Sequence, residues 1–320
     1  MTTQLNAQAS FLAAGQIPWK LLRNPNAIIN GRIVPLHLQL MPTNRCNGNC
    51  SWCSCHKVDR SVEMGIDELG DIIRHFSKLG TRAATITGGG EPTIHKNFPE
   101  ILQLCRLHGI AVGLVTNGIR WMSNPMEEDV KRITWMRISA TEEGLLKDPA
   151  LLQMVARACP HVHIGVSFTV NGSAPLDMAR ELCLIAEKEP NVTHLRFVQE
   201  LMELPAVGLR MFQENLSQFP KAFFQWRDNF TKGIRSCLLS LLKPVLNCDG
   251  QIYPCCGTQY ALGFKRDELG VMPPSMSMGR WEDFHKQSPF DGSFCKRCYY
   301  QDYNTALKHM MEVMLHEDFV

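Results

Sequence analysis

No apolar run in this chain approaches the roughly 20 residues needed to cross a bilayer. Its first ten residues are polar and uncharged, and the apolar stretch after them is broken by Gly15 and Pro18, so it has no secretory leader pattern. Charge of one sign is also lacking. The 33 Lys/Arg and 31 Asp/Glu leave a net charge of +2. With no basic stripe or tail, neither nucleic acid nor a membrane is expected as a partner. There is no internal repeat and no low-complexity segment. These absences predict a cytoplasmic globular protein.

What the chain has in excess is cysteine. Thirteen occur in 320 residues. In a reducing cytosol they are not expected to pair as structural disulfides, and an odd count cannot pair completely. Their placement is uneven. Cys46, Cys50, Cys53 and Cys55 form one group; Cys237, Cys248, Cys255, Cys256, Cys295 and Cys298 form another. Clustering near both ends points to metal sites. Cys105, Cys159 and Cys183 lie between the groups and read as buried small hydrophobes.

Hydrophobic periodicity supplies the scaffold. Strands are expected over 34–41, 83–87, 110–116, 135–139, 161–170 and 193–199. Helices are expected over 66–79, 98–107, 145–158 and 176–187. This alternation predicts an α/β fold, a parallel sheet with helices packed outside it. Ligands in such folds sit at the C-terminal ends of the strands. Residues 1–33 read as an N-terminal extension, 34–205 as the main domain and 206–236 as a connecting segment without clear period. Residues 237–303 read as a small cysteine-stapled module, and 304–320 as a terminal helix.

Cys46, Cys50 and Cys53 have the spacing C-x3-C-x2-C directly after the first expected strand. Three thiolates on one loop can hold three irons of a cubane and leave the fourth iron open. A zinc site completed by Cys55 or His56 is the alternative. Residues 46–53 resemble the signature loop of the radical S-adenosylmethionine (SAM) superfamily. Gly88-Gly89-Gly90-Glu91-Pro92, after the second strand, resembles that family's glycine-rich motif. The resemblance covers residues 34–200 and implies a partial (β/α)6 TIM-like barrel. It also implies a [4Fe-4S] cluster on Cys46, Cys50 and Cys53, with SAM chelated at the open iron. Trp52 is then expected beside the adenine, and Gly88, Gly89, Gly90 and Glu91 near the ammonium. Asn117 and Ser139, at later strand ends, are expected on the ribose or carboxylate. Asn171 and Arg196 are further positional candidates, Arg196 for a carboxylate or for a surface salt bridge.

The second cysteine group resembles the twitch module, a short form of the SPASM domain found on many radical SAM enzymes. Asp249-Gly250 signals a hairpin turn. Cys237, Cys255, Cys295 and Cys298 are then expected to ligate an auxiliary [4Fe-4S] cluster, with Cys248 or Cys256 as substitutes; a structural zinc module is the alternative. A reducing partner such as flavodoxin or ferredoxin follows from this chemistry. The expected reaction is hydrogen-atom abstraction leading to oxidation or epimerization of a small molecule. Only about 33 residues precede the first strand, which favors a small molecule over a peptide. Peptide or protein modification is the runner-up, and a non-enzymatic zinc protein the remote alternative. No catalytic side chain is singled out.

Overall fold

The structure is a computed structural model. It describes residue 21, residues 23–29, 31–123, 129, 131, 133–201, 207–227, 230–263 and 271–312. A short antiparallel ribbon, β1 (Ile28–Ile29) and β2 (Arg32–Ile33), leads into the main sheet. Among the described residues that sheet has nine strands. β3 (His37–Leu40), β4 (Ala83–Ile86), β5 (Ala111–Thr116), β6 (Trp135–Ser139), β7 (His163–Val170), β8 (Val192–Gln199) and β9 (Ala222–Gln225) lie side by side in sequence order, every pair parallel. The connecting helices are α1 (Ile66–Lys78), α2 (Phe98–Leu107), α3 (Ala150–Ala158), α4 (Leu176–Lys188) and α5 (Val207–Leu216). This is the partial barrel the sequence predicts.

Helix α1 shows why these segments fold as they do. Leu69, Ile72, Ile73 and Phe76 recur at three- and four-residue spacing and are buried, while Asp67 and Glu68 sit in its first turn. Burying a side chain such as Phe76 contributes about 2–3 kcal/mol. On β6, Met136 and Ile138 enter the core beneath the helices, so Trp135, Arg137 and Ser139 take the opposite face.

Four details depart from expectation. Residues 145–149 form turns, and the third helix starts only at Ala150. The segment 206–236 supplies α5 and β9, which extend the parallel sheet by one unit. The hairpin of β10 (Val245–Leu246) and β11 (Ile252–Tyr253) forms around Gly250, which adopts a left-handed φ of 77°. Yet β10 also pairs in parallel with β3, so the cysteine-rich segment is sewn onto the sheet edge. Beyond short helices α6 (Leu239–Leu242) and α7 (Thr258–Ala261), the last helix, α8 (Gln301–Met311), starts three residues earlier than expected. The remainder of the expected helix beyond residue 312 lies outside the described residues. Among the described residues no helix is long and apolar enough to cross a membrane.

Candidate active site

A cavity of about 280 Å³ opens at the C-terminal ends of the strands. Cys46, Cys50, Cys53, Trp52, Gly88, Gly89, Gly90, Glu91, Asn117 and Ser139 all line it. Residues separated by almost 100 positions are thus brought to one wall, because each follows or ends a neighboring parallel strand.

The cysteine loop rests on the glycine turn. Gly90 donates its N–H to the Thr43 carbonyl at 3.1 Å, and Glu91 donates to the Arg45 carbonyl at 2.7 Å. A Cβ on Gly89 would collide with the Asn44 side chain, and one on Gly90 with the Arg45 carbonyl. The sequence suggested that these glycines admit a ligand; the structure shows them first admitting the backbone that leads into Cys46. Arg60 bridges the two segments, donating from Nη1 to the carbonyls of Asn44 and Gly89 at 3.1 and 3.2 Å.

Glu91 and Asn117, both on the cavity wall, also bond to protein groups. Glu91 is buried, and its Oε1 accepts from Thr93 N, Thr93 Oγ1 and Thr116 Oγ1 at 3.1, 2.7 and 2.7 Å. Its Oε2 accepts from Asn117 N at 2.7 Å. Burial nevertheless holds its carboxyl above the ordinary range. The Asn117 amide donates to Asn47 Oδ1 at 2.9 Å and approaches Cys46 Sγ at 4.0 Å, while its Oδ1 accepts from Ile119 N. The Asn117 side chain therefore braces the cysteine loop, and the Glu91 carboxylate ties the turn after β4 to the end of β5. Asn171 does not line the cavity; its Oδ1 accepts from Ser173. Arg196 does line it, half-buried within the barrel, where its Nη2 donates to Ser167 Oγ at 2.6 Å.

The donor set suits a metal cluster. Burial raises the Cys46 thiol, and burial together with Glu143, Cys53 and Cys46 pushes Cys50 up to about 12. Crowded thiolates need compensating positive charge, and metal binding would expel their protons. Among the described residues no three Cys, His, Asp or Glu side chains converge on a single-ion position. Cys55 lies on the cavity wall, with its thiol 3.4 Å from Gln259 Oε1, and His56 Nδ1 is 3.0 Å from the Cys53 carbonyl.

A second, smaller cavity of about 30 Å³ lies in the C-terminal module. Cys237, Cys255, Cys295 and Cys298 all line it, although over 60 residues separate the first from the last. Gly233 lets its strand-like segment close on Cys295, where a Cβ would meet the Gly292 carbonyl. Asn304 Oδ1 of α8 accepts the Leu239 N–H at 2.9 Å, and its Nδ2 lies 3.8 Å from Cys237 Sγ. Cys256 instead meets Tyr300 Oη at 2.8 Å, and neither it nor buried Cys248 lines this cavity. Cys105, Cys159 and Cys183 are buried in the helix–sheet core.

Sequence reasoning missed Ser167, Thr169, Glu200, Arg227 and Tyr260 on the large cavity's wall. Ser167 and Thr169 carried a signal, since they alternate with apolar residues along β7. Tyr260 carried none: it comes from α7 in the module and reaches the barrel only through tertiary packing.

Residues 40–135 match the model of the Radical SAM superfamily. Over these residues the chain carries the domain that defines that superfamily. Its members use SAM and a [4Fe-4S] cluster. A 102-residue stretch is 36% identical to GTP 3′,8-cyclase of Mannheimia succiniciproducens, and an 83-residue stretch is 36% identical to a probable GTP 3′,8-cyclase of Pyrococcus abyssi. The stretches cover 30% and 26% of this chain, and 28% and 27% of those proteins. The match thus spans under a third of the length of these relatives. In fold, the chain is similar to Streptococcus suis SuiB bound to precursor peptide SuiA, with a TM-score of 0.58 at 13% identity over 86% of this chain and 68% of that one. It is also similar to anSMEcpe with bound AdoMet and a peptide, with a TM-score of 0.54 at 16% identity over 89% and 85%.

Proposed function

We propose that this radical SAM enzyme binds two [4Fe-4S] clusters and removes a hydrogen atom from a small molecule held in the 280 Å³ cavity. One observation carries the reading. The three loop cysteines, Trp52, the glycine turn and Ser139 share one cavity wall, while four further cysteines surround a second cavity. When bound, SAM and its cluster supply a 5′-deoxyadenosyl radical able to abstract hydrogen from an unactivated C–H bond. Cys46, Cys50 and Cys53 would ligate that cluster, and Cys237, Cys255, Cys295 and Cys298 the auxiliary one.

The chain's own residues hold the geometry. Arg60, Glu91 and Asn117 fix the cysteine loop on the glycine turn. Trp52 offers an aromatic face to an adenine, and Ser139 a hydroxyl to the same ligand. Tyr260 lines the cavity from the module side and Gln259 Oε1 accepts from the Cys55 thiol, which covers part of a center that works best away from water. Four thiolates leave an auxiliary cluster no open corner, so electron transfer suits it. Oxidation or epimerization is the outcome this arrangement favors; a reducing partner such as flavodoxin or ferredoxin would deliver electrons. The fold shared with SuiB and anSMEcpe, which were solved with peptides, supports peptide modification as the second reading.

The test is iron and sulfide content after anaerobic reconstitution, with SAM cleavage assayed alongside. About eight irons are expected in the wild type and about four in the Cys46/Cys50/Cys53→Ala variant. Only the wild type should release 5′-deoxyadenosine. Zinc in place of iron, with SAM intact, would sink the proposal.

A further inference from the structure

The large cavity carries more positive charge than its wall balances. Arg196 on β8 and Arg227 after β9 both line it. Arg137 on β6 takes the same face as Ser139, one layer deeper in the barrel. Each of Arg137 and Arg227 lies close enough to Arg196 to disfavor its charge, after burial itself. Arg196 Nη2 donates to Ser167 Oγ at 2.6 Å. Arg137 Nε and Arg196 Nε, however, are shielded from solvent and have no hydrogen-bond partner. Glu200 shares the wall and offsets one charge at most, because the Glu91 carboxylate is already occupied by four donors.

A guanidinium does not shed its proton under these conditions, so it cannot escape the mismatch by neutralizing. Buried cations left unpaired are strongly unfavorable, and a planar guanidinium fork matches an oxyanion bidentately. Below them the barrel is already filled. The His194 ring covers Gly165 and the Trp135 ring covers Gly113, where a Cβ would collide with either ring. An anion must therefore enter from the cavity above.

We propose that the floor of this cavity is an oxyanion pocket, formed by Arg137, Arg196, Arg227 and Ser167, that takes the carboxylate or phosphate of a small acidic substrate. Naming that ligand a substrate rests on the radical SAM reading; anion binding itself needs no turnover. The pocket also gives Arg196 a role separate from holding SAM.

Binding of pyrophosphate and of succinate to the reconstituted protein would be measured by calorimetry, against sodium chloride at matched ionic strength. SAM affinity and SAM cleavage would be followed in parallel. At least one dianion should bind, and Arg137→Gln or Arg196→Gln should weaken it by about tenfold or more while SAM affinity stays within about twofold. Preference for pyrophosphate would mark a phosphate ligand, and preference for succinate a carboxylate. Should those variants not fold, Arg227→Gln, which is only half-buried, is read the same way. The pocket is overturned if neither anion binds beyond matched chloride, or if the variants lose SAM while keeping the anion. Anion binding by a wild type that cleaves no SAM would sustain the pocket and remove the radical SAM reading.

Discussion

The Glu91 carboxylate accepts the Asn117 backbone N–H at 2.7 Å, and this bond ties the turn after β4 to the end of β5 in the protein interior. Three further donors converge on the same carboxylate. The motif's acidic residue thus locks two strand ends together beneath the cysteine loop.

Replacing that carboxylate by an amide tests this role. In Glu91→Gln one acceptor oxygen becomes an NH₂ facing donors, and each buried donor left unpaired costs about 1–3 kcal/mol. Denaturant melts should show a loss of about 2–3 kcal/mol, with weaker SAM binding as a consequence. Unchanged stability with weakened SAM binding would instead place the Glu91 carboxylate on the ligand.

The glycine turn gives a sharper separation of fold from site. In Gly90→Ala the new methyl meets the Arg45 carbonyl and displaces the cysteine loop. Reconstituted protein should hold about four irons instead of about eight while circular dichroism stays native. A full iron complement would show that the loop tolerates the shift.

Cysteine substitutions should sort by cavity. Cys248→Ser and Cys256→Ser should each keep about eight irons. Cys237→Ser, Cys255→Ser, Cys295→Ser and Cys298→Ser should each lose about four or leave an altered electron paramagnetic resonance signal. Loss of iron in Cys256→Ser would transfer a ligand role to the thiol that meets Tyr300.

His194 predicts acid sensitivity. Burial, then Arg137 and Arg196, hold its imidazole down to about 3. Below pH 6.5 the unfolded chain takes up a proton that the folded one refuses. The stability this group contributes is therefore present above pH 6.5 and lost as pH falls toward 3, by on the order of 4 kcal/mol. Urea melts between pH 7.5 and 4.5 should give a flatter profile for His194→Gln than for the wild type. Equal slopes would refute the assignment.

The sequence made the barrel legible because its strands and helices bury one face each, and a period of 2 or 3.6 is written locally. Leu69, Ile72, Ile73 and Phe76 announce α1 without reference to anything distant. The grouping of Cys46, Cys50 and Cys53 on one cavity wall was legible for the same reason, because a short spacing on one loop is local. What could not be read was side-chain direction across strands. Asn117 and Glu91 were expected on the ligand, and the bonds they make within the protein, to Asn47 and to the Asn117 backbone, were not foreseen. Arg137 could not be placed at all, because a charged residue inside a barrel and one on its surface look alike in sequence. Strand β9 was missed because Ala222–Gln225 is short and follows a helix of weak pattern.

The pairing of β10 with β3 has a consequence for how the chain is made. Gln39 and Leu40 find Val245 and Leu246 about 200 residues downstream. Until residue 246 has left the ribosome, one edge of the first barrel strand has no neighbor, and its N–H and C=O groups stand open. Contacts of such separation fold slowly and leave sticky intermediates. Nascent chains shortened before residue 245 should accordingly depend on chaperones and aggregate without them, even though every residue of the first cysteine loop has already been synthesized.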